Sequence, residues 1–211
     1  MRDYYWGNTE AEQATPKKTE DTNTPYENND GDEWNAVECS GNKIYFYSSV
    51  TRPKILKLNK SIVNMSNGLT TRSLIYGTPP APIKLHINSY GGSVFAGMAA
   101  VDYIKRCKTP IESIIDGCAA SAATLMSVVA DHRSMHKNSC MLIHQLSGHM
   151  WGKFNEMQDD MKNSEMLMKK IKTIYRDHCC IPEAVLEDIL KHDIWWDAET
   201  CLKYGLVDEI I

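Results

Sequence analysis

The sequence predicts an α/β fold: repeated β-α units laid down as a mainly parallel sheet. Three observations carry this expectation. A strand, a glycine turn and a helix recur twice in succession between Ile83 and Ala130, the pattern of crossover connections between parallel strands. The hydrophobic period changes from two to between three and four as each unit passes from strand to helix. Three features with chemical potential, Gly91-Gly92, Ser121 and His144, fall where those strands end, and open α/β sheets hold their ligands outside the carboxyl ends of the strands.

The elements are expected in the following order. The first 40 residues carry 10 acids and 3 bases, whereas the remaining 171 carry 17 acids and 20 bases. The opening stretch is also poor in aliphatic residues, so it cannot bury enough apolar surface to offset its ordering entropy. Residues 1–41 are therefore expected to be a flexible acidic tail or propeptide, with one folded domain over residues 42–211. Lys43 to Val50 is rich in β-branched and aromatic residues and reads as a strand. From Lys54 to Tyr76, Ile55, Leu58, Ile62, Met65, Leu69 and Leu74 fall mostly at helical spacing. Thr78-Pro-Pro-Ala-Pro82 breaks the chain. Ile83 to Asn88 alternates as a strand does, Ser89-Tyr-Gly-Gly-Ser93 is a turn, and Val94 to Arg106 is an apolar helix. Thr109 to Ile115 is a strand ending at Asp116-Gly117. A helix of small residues over 119–130, a short turn and a strand over 139–143 follow.

Phe154 to His178 is expected as a long polar helix. Met157, Met161, Ser164, Met168, Ile171 and Tyr175 form a narrow seam along it, the kind that faces a partner element. The chain should close with a helix over 183–191, the stretch Asp193-Ile-Trp-Trp196, a helix over 198–204 and a short strand before Ile211.

Composition narrows the functional classes. The chain has 211 residues, 43% hydrophobic and 24% charged, with a formal net charge of -4. That is ordinary globular composition. It lacks the basic bias expected of a nucleic-acid or anionic-membrane binder. No run of about 18 apolar residues suggests a membrane span. Met1 to Glu10 lacks the apolar core of a secretory signal. The 7 cysteines are an odd number in a chain too large to need a disulfide scaffold, which points to free thiols and a cytoplasmic location.

Taken singly, the chemical candidates are ambiguous. Ser121 sits among alanines, where a serine is usually a packing residue. At the start of a helix, however, it would have the backbone N–H donors a nucleophile needs. The lipase-type G-x-S-x-G elbow is absent. His144 directly follows an apolar strand and suits either a structural histidine or a base. Gly91-Gly92 is a turn whose backbone N–H groups can face an oxyanion. Asp193 has no local signature. His132 and His136 are four apart, but no third ligand follows at metal-site spacing. Adjacent Cys179-Cys180 is not a CxxC pair. No P-loop is present, so nucleotide hydrolysis is not expected of this chain.

In combination these segments resemble the proteolytic subunit of the Clp protease, the ClpP family. The resemblance is carried by Ile87-Asn-Ser-Tyr-Gly-Gly-Ser-Val94 with Gly97, by Asp116-Gly-Cys-Ala-Ala-Ser-Ala-Ala123, by Met141-Leu-Ile-His-Gln145, and by 192–200 with Tyr204-Gly-Leu-Val-Asp208. These four motifs stand in the family's order and cover about residues 43–211. The resemblance implies a ClpP/crotonase-like fold with a protruding helix-strand handle at about 148–180. It implies a serine endopeptidase with Ser121 as nucleophile, His144 as general base and Asp193 as its orienting carboxylate. The backbone N–H groups of Gly92 and Ala122 would form the oxyanion hole.

It further implies a homo-oligomer of two stacked heptameric rings, polypeptide substrates, no cofactor or metal in this chain, and ATP used only by an AAA+ unfoldase partner of the ClpX, ClpA or ClpC type. Tyr90, Cys118, Ala122 and Leu146 depart from the family's commoner residues. With the acidic tail they point to a divergent, viral or phage-type member, which would place the protein in a host cytoplasm. The alternatives are a phage head-maturation protease of the same fold, a catalytically silent ring subunit, and a crotonase-type acyl-CoA enzyme.

Overall fold

A computed structural model describes residues 5–6, 37–148 and 150–211. Its element order is β1 (Tyr5–Trp6), β2 (Val37–Ser40), β3 (Lys43–Phe46), α1 (Arg52–Tyr76), β4 (Ile83–Ser89), β5 (Gly92–Ser93), α2 (Val94–Arg106), β6 (Ile111–Ala120), α3 (Ala122–Val128), β7 (His132–Met135), β8 (Cys140–Leu142), α4 (Phe154–His178), α5 (Glu183–Ile189), α6 (Ala198–Lys203) and β9 (Glu209–Ile210). A seven-stranded sheet runs in the order β2-β3-β4-β6-β7-β9, with β8 also paired to β6. Every ladder but one is parallel; β2 alone lies antiparallel to β3. The expected α/β class of repeated β-α units is the class observed.

The sheet is held by one apolar face. In β4, Ile83, Leu85 and Ile87 are fully buried while Lys84, His86 and Asn88 between them are half-buried. Alternation of this kind puts one set of side chains on the helical side, and each such side chain contributes about 1.5–3 kcal/mol of burial. α1 meets that face through Ile55, Leu58, Ile62 and Leu69. Pro53 sits in its first turn and Gly77, at φ 64°, ends it. Leu74, an apolar residue of the helical spacing, is instead 80% exposed. α2 is capped by the Ser93 side chain, which accepts from the Ala96 amide. It packs closely on α3, because a Cβ on Gly97 would come 3.1 Å from the Ala122 Cβ.

Three local expectations are corrected. The sheet begins at Val37, because β2 pairs with β3 from Val37 opposite Phe46 to Ser40 opposite Lys43, so the domain starts before residue 42. The rest of the expected tail, apart from β1, lies outside the described residues. The strand expected to stop at Gly117 continues to Ala120, because Cys118, Ala119 and Ala120 pair with Cys140, Met141 and Leu142 of β8. The segment around His132, expected as a turn, is β7, wedged between β6 and β9.

α4 spans the expected residues, and its burial divides it in two. Its buried residues are Leu167, Ile171 and Tyr175, whereas Phe154, Met157 and Met161 are exposed. The seam therefore packs on the body only over its C-terminal half, and the N-terminal half projects. The strand part of the handle is not found among the described residues between Leu142 and Phe154. The C-terminal end of α4 is fastened by Arg133, whose Nη1 donates to the carbonyls of His178 (2.6 Å) and Gly205 (2.7 Å). Its Nε and Nη2 meet the Asp208 carboxylate, which holds that carboxyl below its ordinary range.

Candidate active site

β6 delivers Ser121 in an uncommon conformation. Ser121 has φ 59° and ψ -131°, the sole positive φ of a non-glycine residue among the described residues. Such a conformation costs about 1–3 kcal/mol and persists only where its surroundings over-determine it. Here they do. The Ser121 amide donates to the Leu142 carbonyl at 2.8 Å, and its carbonyl accepts from the Thr124 amide at 3.0 Å and the Thr124 hydroxyl at 2.6 Å. Thr124 Oγ1 lies 2.6 Å from the hydroxyl of Tyr175, which is fully buried on α4. The single Thr124 hydroxyl proton goes to the Ser121 carbonyl, so Tyr175 is the donor in that pair.

The surrounding residues are small because there is no space for larger ones. A Cβ on Gly91 would stand 2.6 Å from the Cβ and 3.0 Å from the Oγ of Ser121. Gly91 has φ 91° and Gly92 has φ 145°, conformations that favour glycine. Val50 fixes this pair: its amide donates to the Gly91 carbonyl at 2.7 Å and its carbonyl accepts from the Ser93 amide at 2.8 Å. A Cβ on Gly92 would strike the Val50 carbonyl oxygen at 2.6 Å.

His144 lies two residues beyond β8, the strand that pairs with the end of β6, and is 9% exposed. Its Nδ1 stands 2.5 Å from Asp193 Oδ1. Burial pushes the imidazole pKa below its ordinary value, outweighing the opposite pull of the Asp193 hydrogen bond and charge. The ring is thus neutral near pH 7, with its Nδ1 proton donated to the carboxylate and Nε2 left as the basic nitrogen. The loop carrying Asp193 is clamped on both sides. The Gln145 amide donates to the Leu190 carbonyl at 2.7 Å, and Met141 and Trp196 exchange backbone hydrogen bonds of 2.9 and 2.7 Å.

Asp193 is 66% exposed. A cleft of about 330 Å³ opens beside it, lined by His144, Gln145, Leu146, Ser147, Gly148, Lys191 and Asp193. Over the glycine turn, the Tyr90 and Trp195 rings meet edge to face with centroids 6.3 Å apart.

The structure thus joins His144 to Asp193 directly, and places Ser121, with Ala122 after it, at the end of β6, beside the strand β8 that precedes His144. Gly91 packs on the serine, and Gly92 follows it. Val50, Thr124 and Tyr175 were not identified from the sequence. Tyr175 alone had a signal, as the last member of the α4 seam. The two histidines weighed as metal ligands lie elsewhere: His132 Nε2 pairs with Glu209 at 3.0 Å and His136 Nε2 with Asp116 at 3.2 Å. Among the described residues no three His, Cys, Asp or Glu side chains group as metal ligands.

A serine held in a strained turn at the end of a central parallel strand, with a carboxylate-tied histidine just past the adjoining strand, is an arrangement suited to chemistry through an activated hydroxyl. Comparison with known proteins gives the family. The Clp protease family model matches residues 40–211. The ATP-dependent Clp protease proteolytic subunit of Streptococcus mutans is 34% identical over 174 residues, covering 78% of this chain and 88% of the relative. That of Deinococcus radiodurans is 28% identical over 170 residues, covering 78% and 83%. A solved ClpP1 mutant from Listeria monocytogenes superposes with a TM-score of 0.66 at 22% identity, covering 78% of this chain and 87% of that one, which shows the shared fold. The chain belongs to the Clp protease family and is a serine-type endopeptidase.

Proposed function

We propose that this chain hydrolyses peptide bonds through Ser121, His144 and Asp193, as one subunit of a closed oligomer fed with unfolded polypeptide by an ATP-driven partner. The observation that carries the catalytic part is the 2.5 Å contact between His144 Nδ1 and Asp193 Oδ1, in a loop clamped on both sides of the carboxylate. Ser121 Oγ attacks the scissile carbonyl carbon while His144 Nε2 takes its proton. Asp193 stabilises the imidazolium that forms. The developing oxyanion accepts from the backbone N–H groups of Gly92 and Ala122. Ala122 opens α3, and the first amides of a helix have no intrahelical acceptor. His144 then gives its proton to the leaving amine. In the second half, water attacks the acyl-serine, His144 takes the water's proton, and Ser121 is released with it. The reaction uses only side chains, backbone amides and water, so no cofactor is required.

Assembly follows from the surface of α4. Met150, Phe154, Met157 and Met161 are all exposed on or just before its projecting half. Apolar surface of this kind suits contact with a second subunit, as the stacked-ring arrangement requires. An unfoldase partner is favoured by the absence of a nucleotide motif here and by relatives named ATP-dependent. Treating the protein with a fluorophosphonate and locating the adduct by mass spectrometry tests the site. Ser121 is expected to be labelled, and Ser121→Ala and His144→Ala to abolish labelling. An adduct on another serine overturns the assignment.

A further inference from the structure

We propose that the chain's own N-terminal strand, Tyr5–Trp6, is an intramolecular inhibitor that takes the strand edge an extended substrate would take. The proposal rests on the reading of Ser121 as the nucleophile. β1 pairs antiparallel with β5, with Tyr5 opposite Ser93 and Trp6 opposite Gly92. On its other side this segment is closed by Val50, which takes the Gly91 carbonyl and the Ser93 amide. Successive residues of a strand turn their N–H and C=O groups to opposite sides. Gly92 therefore turns its own N–H and C=O away from Val50, to the side on which β1 runs. Gly92 is also the residue assigned an oxyanion donor, and its neighbour Gly91 packs against Ser121 closely enough that a Cβ would stand 3.0 Å from Oγ.

An extended peptide that adds to a sheet edge is held by main-chain hydrogen bonds, and one side of one edge holds one strand. β1 in place and a substrate strand in place are mutually exclusive. The ladder is only two residues long, so as a free peptide it would bind weakly. It is not free: 30 residues of the same chain, 7–36, join it to β2. A ligand on the same chain competes intramolecularly, at an effective concentration set by the segment that joins it. Inhibition of this kind raises the substrate concentration needed for turnover and leaves the chemical step untouched, because no group of the machinery is altered.

The test uses the full chain and the double variant Tyr5→Pro/Trp6→Pro. Proline at both positions removes every N–H that β1 can donate and is poorly tolerated in a paired strand. Hydrolysis of a fluorogenic peptide is measured beside fluorophosphonate labelling of Ser121. The proline variant is expected to show a KM several-fold lower than the unaltered chain, with kcat unchanged. A synthetic peptide of residues 1–9 is expected to inhibit the variant competitively. Equal KM values for the two chains, with Ser121 labelled in both, overturn the inhibitory strand and leave the site reading intact. Failure of Ser121 to label in either chain overturns the site reading itself. Loss of residues 1–6 from the full chain that depends on Ser121 would make the strand a substrate, and would overturn its role as an inhibitor.

Discussion

The hydroxyl of Tyr175, near the end of the long helix α4, lies 2.6 Å from the hydroxyl of Thr124, which in turn donates to the carbonyl of Ser121 at 2.6 Å. A residue 51 positions downstream of Thr124 thereby holds the turn that presents the candidate nucleophile. Tyr175→Phe keeps the packing of the ring and removes one buried hydrogen bond. It is expected to cost about 1–2 kcal/mol, a fall in Tm of about 2–8 °C for a domain of this size. Calorimetry checks the stability, and steady-state kinetics should show kcat lowered while Ser121 still accepts a fluorophosphonate.

Gly91→Ala places a methyl group 2.6 Å from both the Ala120 carbonyl oxygen and the Ser121 Cβ. Neither is the loose end of a flexible side chain, so the turn must shift. A displacement of about 1 Å at a reacting centre costs on the order of 100-fold in rate. Peptidase activity is expected to fall at least that far, with little change in far-UV circular dichroism. A fully active Gly91→Ala protein would show that this turn does not border the reacting atoms.

The pH profile follows from His144. Burial disfavours its charged imidazolium form and so lowers its pKa, and the neutral base form is the one the proposed mechanism uses. The acid limb of kcat/KM is therefore expected below the ordinary histidine value of about 6.5, with activity lost as the pH falls through it. Asp193→Asn removes the influence that opposes burial and moves the acid limb lower still. It also frees the ring to adopt the wrong tautomer, for a loss on the order of 10⁴-fold in kcat. Both readings come from one set of pH-rate curves.

How much of this was legible in the sequence varies by element, for physical reasons. α2 and α4 occupy the residues their periodicity indicates, since 3.6-residue spacing is a local signal. The end of β6 was read wrongly because Cys118-Ala-Ala-Ser-Ala-Ala123 suits a helix by propensity, and its strand state depends on β8, some twenty residues away. β7 shows no alternation in His132-Arg-Ser-Met135 and is a strand through its neighbours on both sides. Propensity is a weak prior that such pairing overrides. Ser121 and His144 were legible at strand ends from local pattern alone. Asp193 was not, because its placement comes from backbone bonds at Leu190 and Trp196 that no local pattern announces.

The strained backbone at Ser121 sets the demands of folding against those of chemistry. Glycine adopts that φ without the steric penalty of about 1–3 kcal/mol, although it costs about 0.5–1 kcal/mol more chain entropy on folding. Ser121→Gly is therefore expected to melt no lower than the unaltered protein while having no nucleophile, as paired calorimetry and activity assays would show. Selection for a durable fold alone would leave that serine vulnerable to drift. On the proposed reading, a serine stands there, in a conformation that suits glycine better, for what its hydroxyl does.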